Sequence, residues 1–275
     1  MTSVDRRKTL RATASSHSRE DIMHQDVTQP LWRFRDGIVV LATAMAAYTA
    51  LSWAHMALVS ETVGMEAYLG SGDRLPLKIL VISQLSKAVA LLGVLWGLGL
   101  LLKGLDWRAV GLRPVGTGWL LTGAAAGLGF TVTGLMLVKA LTGLIPSWAM
   151  MTRAPFDFGP SASPGMIAAF VGMTLVVTPF AEEVFFRGFV YKWMKGHRPV
   201  WLAALVSSII FGASHIVPHQ AINAAVMGLV LIWLYEQSGS IWPAILAHAV
   251  NNALGVGLGA LAAQGLLPAF LTAPG

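Results

Sequence analysis

The chain has 275 residues, of which 55% are hydrophobic and only 12% charged, and its mean hydropathy is +0.66. A soluble globular protein carries about twice that charged fraction, and a water-soluble fold of this size cannot hide so much apolar surface, so the bilayer is the expected solvent. The net charge is +6, much of it near the N-terminus, and the absence of cysteine excludes disulfides and thiolate metal sites.

Residues 1–36 form a basic arm with Arg6, Arg7, Lys8, Arg11, Arg19, Arg33 and Arg35. Beside a transmembrane helix such an arm marks the cytoplasmic side and touches anionic lipid, so nucleic acid is not expected as a partner. The arm lacks the apolar stretch of a cleavable signal, and its polar composition predicts disorder up to Pro30.

A spanning helix needs about 20 mostly apolar residues. Residues 37–59, 77–102 and 119–145 qualify, with Lys87 inside the second run and Lys139 near the end of the third. A fourth run begins at residue 165 and continues through a charged stretch to about residue 194. Residues 201–217, 221–235 and 241–261 follow, the first two short for a full span. The expected fold is all-α, a polytopic transmembrane helical bundle of seven spans, or eight if the fourth run breaks at Pro179. The organisation read from this pattern is an arm (1–36), three N-terminal helices (37–145), a Pro/Gly-bearing connection (146–164), a catalytic helical core (165–265) and a tail (266–275).

Loop charge sets the orientation. The stretch after the first span holds Glu61, Glu66, Asp73 and Arg74, whereas Lys103, Arg108 and Arg113 follow the second span and Lys192, Lys195 and Arg198 end the fourth. Basic stretches therefore recur on alternate sides. This places the N-terminus in the cytoplasm and, with seven spans, the C-terminus outside.

Ionisable groups at the centre of a membrane helix cost about 2.5–3.5 kcal/mol each on insertion scales, so those present should face the bundle interior. Glu182 and Glu183 are adjacent and lie about 100° apart around a helix. Glu183 and Arg187 are four residues apart with the acid first, which suits an ion pair and leaves Glu182 without a local partner. An unpaired carboxylate in apolar surroundings suits general-base work, although a charge cluster at a helix end is the plainer reading of this stretch alone. Phe211 and His215 share a helix face, as do His248 and Asn252. A lone histidine in a membrane helix is often only hydrogen-bonded to a neighbouring helix. One free glutamate, two histidines and an asparagine on three helices read together as a site. Glu182 would take a proton from water oriented by His215, while His248 and Asn252 would donate to a developing oxyanion.

Glu-Glu-x-x-x-Arg at 182–187, Phe-x-x-x-His at 211–215 and His-x-x-x-Asn at 248–252 resemble the three motifs of the CPBP family, the type II CAAX prenyl endopeptidases and their bacterial relatives. The run from Ser240 to Asn252 is especially similar to the bacterial members. The resemblance covers about residues 165–262 and implies Glu182 as the catalytic carboxylate, with His215, His248 and Asn252 completing the site and Glu183, Arg187 and Phe211 in support. It implies an intramembrane endopeptidase of a bacterial inner membrane whose partners are the bilayer and a membrane-embedded protein or peptide substrate, without prenyl specificity being carried over. No cofactor is expected. If a metal such as zinc were used, Glu182, His215 and His248 would be its ligands, but the chain has no His-Glu-x-x-His.

Other readings compete. Gly70-Ser-Gly-Asp73 spells a membrane aspartyl-protease motif but sits in a loop without a second intramembrane Asp, and Gly212-Ala-Ser214-His215 resembles a rhomboid serine motif with histidine where glycine is needed. Both are read as chance. A transporter or channel would use Lys87, Lys139, Glu182 and His248 as an ion path, though no inverted repeat is found and the two lysines are expected to snorkel or pair. A non-catalytic scaffold of the same fold is the third reading. His219 is expected in a loop after Pro218, and His55 as a structural residue of the first span.

Overall fold

The computed structural model describes residues 30–62, 77–149, 163–215 and 217–267. Most of the arm, the Gly70–Asp73 motif and the greater part of the 146–164 connection therefore lie outside the described residues. Seven apolar helices and no strand occur among those described, so the protein is an all-α, multi-pass membrane bundle. They are α1 (Phe34–Thr62), α2 (Leu77–Lys103), α3 (Thr117–Leu144), α4 (Pro164–Lys195), α5 (Val200–Ala213), α6 (Pro218–Ser238) and α7 (Trp242–Ala263).

Six of the seven are long and apolar enough to cross a membrane. The exception is α5, whose 14 residues span about 21 Å, short of a hydrocarbon core of about 30 Å. Helix α6 is longer than its apolar run predicts, because Pro218 starts the helix and does not end one. Proline suits the first helical position, where its missing N–H is not needed. This corrects the expectation for His219, which lies in the first turn of α6 at 1% exposure.

Helix α4 does not break at Pro179, so the eighth span does not form. The turn at Met173–Val177 is π-wound. It contains Leu175, whose carbonyl a proline four residues later would otherwise crowd. A second π-wound stretch runs from Val184 to Tyr191. Glu182 and Glu183 thus sit on a short α-helical segment between two widened ones.

Helix α4 is the centre of the bundle. Every residue from Ala181 to Tyr191 is buried, as expected for a helix surrounded by protein on all sides. Phe185, Phe186, Phe189 and Val190 join Leu91 and Leu95 of α2 and Phe211 of α5 in one core. The outer faces remain apolar: Trp53, Leu121 and Leu144 are more than 70% exposed, which suits contact with lipid.

Helices α3 and α7 approach almost to backbone contact. A Cβ at Gly123 would fall 2.4 Å from the Pro243 carbonyl oxygen, and one at Gly127 would fall 2.3 Å from that of Ala247. Small residues four apart permit this approach. It is reinforced by Thr131, whose hydroxyl donates to Asn251 Oδ1 at 3.1 Å. The α3 contact thereby sets the height of His248, the residue after Ala247.

One end of the bundle is basic. Lys103 donates to Asp36 at 2.7 Å, His197 bonds to the Trp32 carbonyl at 2.9 Å, Lys192 donates to the Ala109 carbonyl at 2.8 Å and Lys195 pairs with Glu236. The cationic stretches that the sequence distributes among three loops therefore meet at one surface.

Candidate active site

Glu182 lies on α4 about 20 Å along the helix from Lys195, and thus deep in the bundle, at 3% exposure. Contrary to the sequence expectation it has a partner: Lys87 Nζ of α2 forms a salt bridge to Glu182 Oε1. The other oxygen, Oε2, faces His248 Nε2 at 3.7 Å. That separation is too long for a direct hydrogen bond and short enough for one water to bond both atoms.

Glu183 pairs with Arg187 as the four-residue spacing predicts, Oε1 to Nη1 at 2.8 Å, with both side chains essentially inaccessible. The same Oε1 accepts from His248 Nδ1 at 2.8 Å. The two glutamates therefore face different cations but share one imidazole, one at each ring nitrogen. Because a carboxylate only accepts, Nδ1 of His248 carries the proton and Nε2 is directed towards Glu182.

Phe211 is the packing centre of the site. Its ring lies 4.0 Å from the Arg187 guanidinium carbon, and edge-on to the rings of His215 at 5.2 Å and His248 at 6.0 Å. A buried cation–π contact contributes about 2 kcal/mol. Gly228 of α6 makes room for this arrangement, since a Cβ there would fall 2.8 Å from Ser208 Oγ and 3.1 Å from Arg187 Nη2.

His215 follows the end of α5, half-buried, and its Nδ1 donates to the Phe211 carbonyl at 3.2 Å. Nε2 is then the acceptor nitrogen of the ring. The ring packs edge-on against Phe211, whose ring also meets His248. Ser214 donates to the same carbonyl at 2.7 Å, a bond internal to the helix end.

Asn252 lies one turn beyond His248, and its Nδ2 donates to the Thr174 carbonyl at 3.0 Å. Thr174 belongs to the first π-wound turn of α4, where the altered pairing re-aims carbonyls. Thr174 also accepts at Oγ1 from Gln84 Nε2 at 3.1 Å, and Gln84 Oε1 accepts from Thr178 at 3.3 Å. One amide hydrogen of Asn252 is thus already engaged, leaving the second for any other acceptor.

The structure brings together Glu182, Glu183, Arg187, Phe211, His215, His248 and Asn252. Lys87 and Gln84 of α2 join them without having been expected as site residues. Their only sequence signal is polarity three residues apart inside an apolar run. Among the described residues, no three His, Asp or Glu side chains gather as a metal-binding group. Glu182 Oε1 is held by the Lys87 ammonium.

Beside the site, α2, the following loop and α4 form an apolar groove of about 480 Å³ lined by Leu92, Gly93, Trp96, Trp107, Leu112 and Phe180. None of these carries a motif.

Comparison with known proteins agrees with the motifs. The chain is 31% identical over 77 residues to the putative membrane peptidase YdiL of Bacillus subtilis (strain 168), covering 28% of this chain and 32% of that protein. It is 29% identical over 150 residues to an uncharacterized 24.3 kDa protein of Escherichia coli, covering 53% of this chain and 65% of that protein. The chain thus spans about a third of the first relative and just under two thirds of the second. No solved structure matches. A family model described as type II CAAX prenyl endopeptidase Rce1-like matches residues 164–254, the segment that carries all three motifs. With the glutamate pair, the phenylalanine–histidine turn and the histidine–asparagine turn gathered around one buried centre, this segment is similar to the Rce1-like family.

Proposed function

We propose that the protein is an intramembrane endopeptidase in which Glu182 activates water to hydrolyse a peptide bond of a membrane-associated protein or peptide. The observation that carries this reading is Glu182 Oε2 facing His248 Nε2 across 3.7 Å, with His248 held from behind by Glu183.

In this mechanism Glu182 Oε2 takes a proton from a water that also bonds to His215 Nε2. The water oxygen forms a bond to the scissile carbonyl carbon, and the carbonyl π pair moves to its oxygen. That oxyanion is met by the Nε2–H of a protonated His248 and by the second amide hydrogen of Asn252. The C–N bond then breaks as Glu182 returns its proton to the leaving nitrogen, giving a carboxylic acid, which ionises in water, and an amine. No step requires a metal. The basic end of the bundle supports a cytoplasmic N-terminus, and the bacterial relatives support a bacterial inner membrane. The ion-path reading is disfavoured because Lys87, one of its four groups, is committed to Glu182.

The test is cleavage of a membrane-peptide library by purified protein and by Glu182→Ala and Glu182→Gln. Loss of cleavage in both variants with unchanged thermal melting supports Glu182 as the base. Wild-type rates in either would refute the mechanism, and loss of wild-type cleavage on chelation would bring a metal into it.

A further inference from the structure

We infer that Lys87, outside the segment that matches the family, is a positioning residue of the site: its ammonium orients Glu182 by taking Oε1, so that Oε2 is the oxygen presented to His248 and to water. This rests on the proposed role of Glu182.

Three observations converge on it. Lys87 lies in the interior of α2, about 15 Å from its first residue and about 24 Å from its last, where a lysine side chain is costly to bury in a membrane unless it has a partner. Its side chain is only 13% exposed, and its ammonium contacts Glu182, itself 4% exposed. The carboxylate is then divided: one oxygen is held by α2, and the other faces α7.

The third observation is independent of charge. Gln84, three residues before Lys87 and so on the same face, bonds to Thr174 and Thr178 of α4. Thr174 in turn carries Asn252 on its carbonyl. Helix α2 therefore registers α4 twice, once at the carboxylate and once at the π-wound turn that holds the asparagine. Nothing else in the described residues contacts Glu182 Oε1 as a hydrogen-bond donor.

A carboxylate free to rotate presents either oxygen to several neighbours, and loss of orientation lowers turnover without removing the base. Lys87→Met removes the ammonium while keeping an unbranched apolar chain. Lys87→Arg keeps a cation. Each is made in the wild-type and Glu182→Gln backgrounds, and thermal midpoint and cleavage kinetics are measured on the full chain in detergent.

The expected result has two parts. Lys87→Met lowers kcat by about tenfold or more, with KM little changed, and Lys87→Arg restores most of it. Lys87→Met also lowers the thermal midpoint in the wild-type background but much less in the Glu182→Gln background, because the buried carboxylate left unpaired is then absent. Wild-type kcat in Lys87→Met overturns the positioning role. Equal thermal losses in the two backgrounds overturn the pair itself. The thermal comparison does not depend on activity, so it remains decisive even where Glu182→Gln still cleaves and the proposed mechanism fails.

Discussion

Glu183 accepts a hydrogen bond from His248 Nδ1 at 2.8 Å, and this one contact turns the opposite ring nitrogen towards Glu182, its neighbour in the chain. Two adjacent acids thus take separate parts. One is held between Arg187 and the imidazole, and the other lies between Lys87 and the far nitrogen of that imidazole.

Glu183→Gln removes the charge that both Arg187 and His248 use. Breaking a buried pair from one side typically costs about 3–5 kcal/mol, because it leaves an uncompensated charge. The variant is expected to melt well below the wild type and to lose cleavage. Glu183→Gln/Arg187→Met should recover much of the thermal loss but not the activity. Thermal unfolding and cleavage assays of the single and double variants check both parts.

Asn252→Ala separates a structural from a chemical contribution. Loss of its bond to the Thr174 carbonyl costs about 1 kcal/mol of stability. Loss of an oxyanion donor lowers kcat by about 10²–10³. The expected outcome is a small change in melting with a large fall in kcat. A fall proportionate to the thermal change would leave Asn252 as a helix tie only.

Gly127→Ala places a methyl group where 2.3 Å separates it from the Ala247 carbonyl oxygen. Helices α3 and α7 must then part, and overpacking of this kind costs about 1–3 kcal/mol. Because His248 follows Ala247, the distance to Glu182 should change as well. Reduced kcat together with a lower melting point is expected, measured against Gly129→Ala, where a Cβ would meet nothing within 4 Å.

Ser214→Ala tests the serine motif. The hydroxyl is spent on the Phe211 carbonyl at the end of α5, so its removal should leave the cleavage rate within about twofold, the range of a substitution without a special role. A collapse of activity would instead point to Ser214 as a nucleophile.

The three motifs were legible because each is written at one-turn spacing within a few residues of one helix. Glu183 and Arg187 meet as that spacing predicts, and Phe211 meets His215 edge-on. The pairing of Glu182 was not legible: its partner Lys87 is 95 positions away, and an isolated lysine in an apolar run is equally compatible with snorkelling. The unbroken path of α4 through Pro179 was hidden for a different reason. A π-wound turn shows no distinctive residue pattern, so the proline reads as a break. His219 was misplaced because Pro218 can either close one helix or open the next, and only the extended backbone at Val217 decides between them.

Composition and hydropathy by themselves determined that the chain lives in a membrane as a helical bundle, because apolar runs of spanning length have no other stable solution. Motif spacing determined that Glu183 meets Arg187 and that Phe211 meets His215. Only the tertiary structure decided which of the two glutamates pairs with Lys87, that His248 stands between them, and that α2 supplies Lys87 and Gln84. Those relationships depend on helix rotation and depth. Rotation and depth are set by contacts such as Gly127 against Ala247, between residues far apart in the chain.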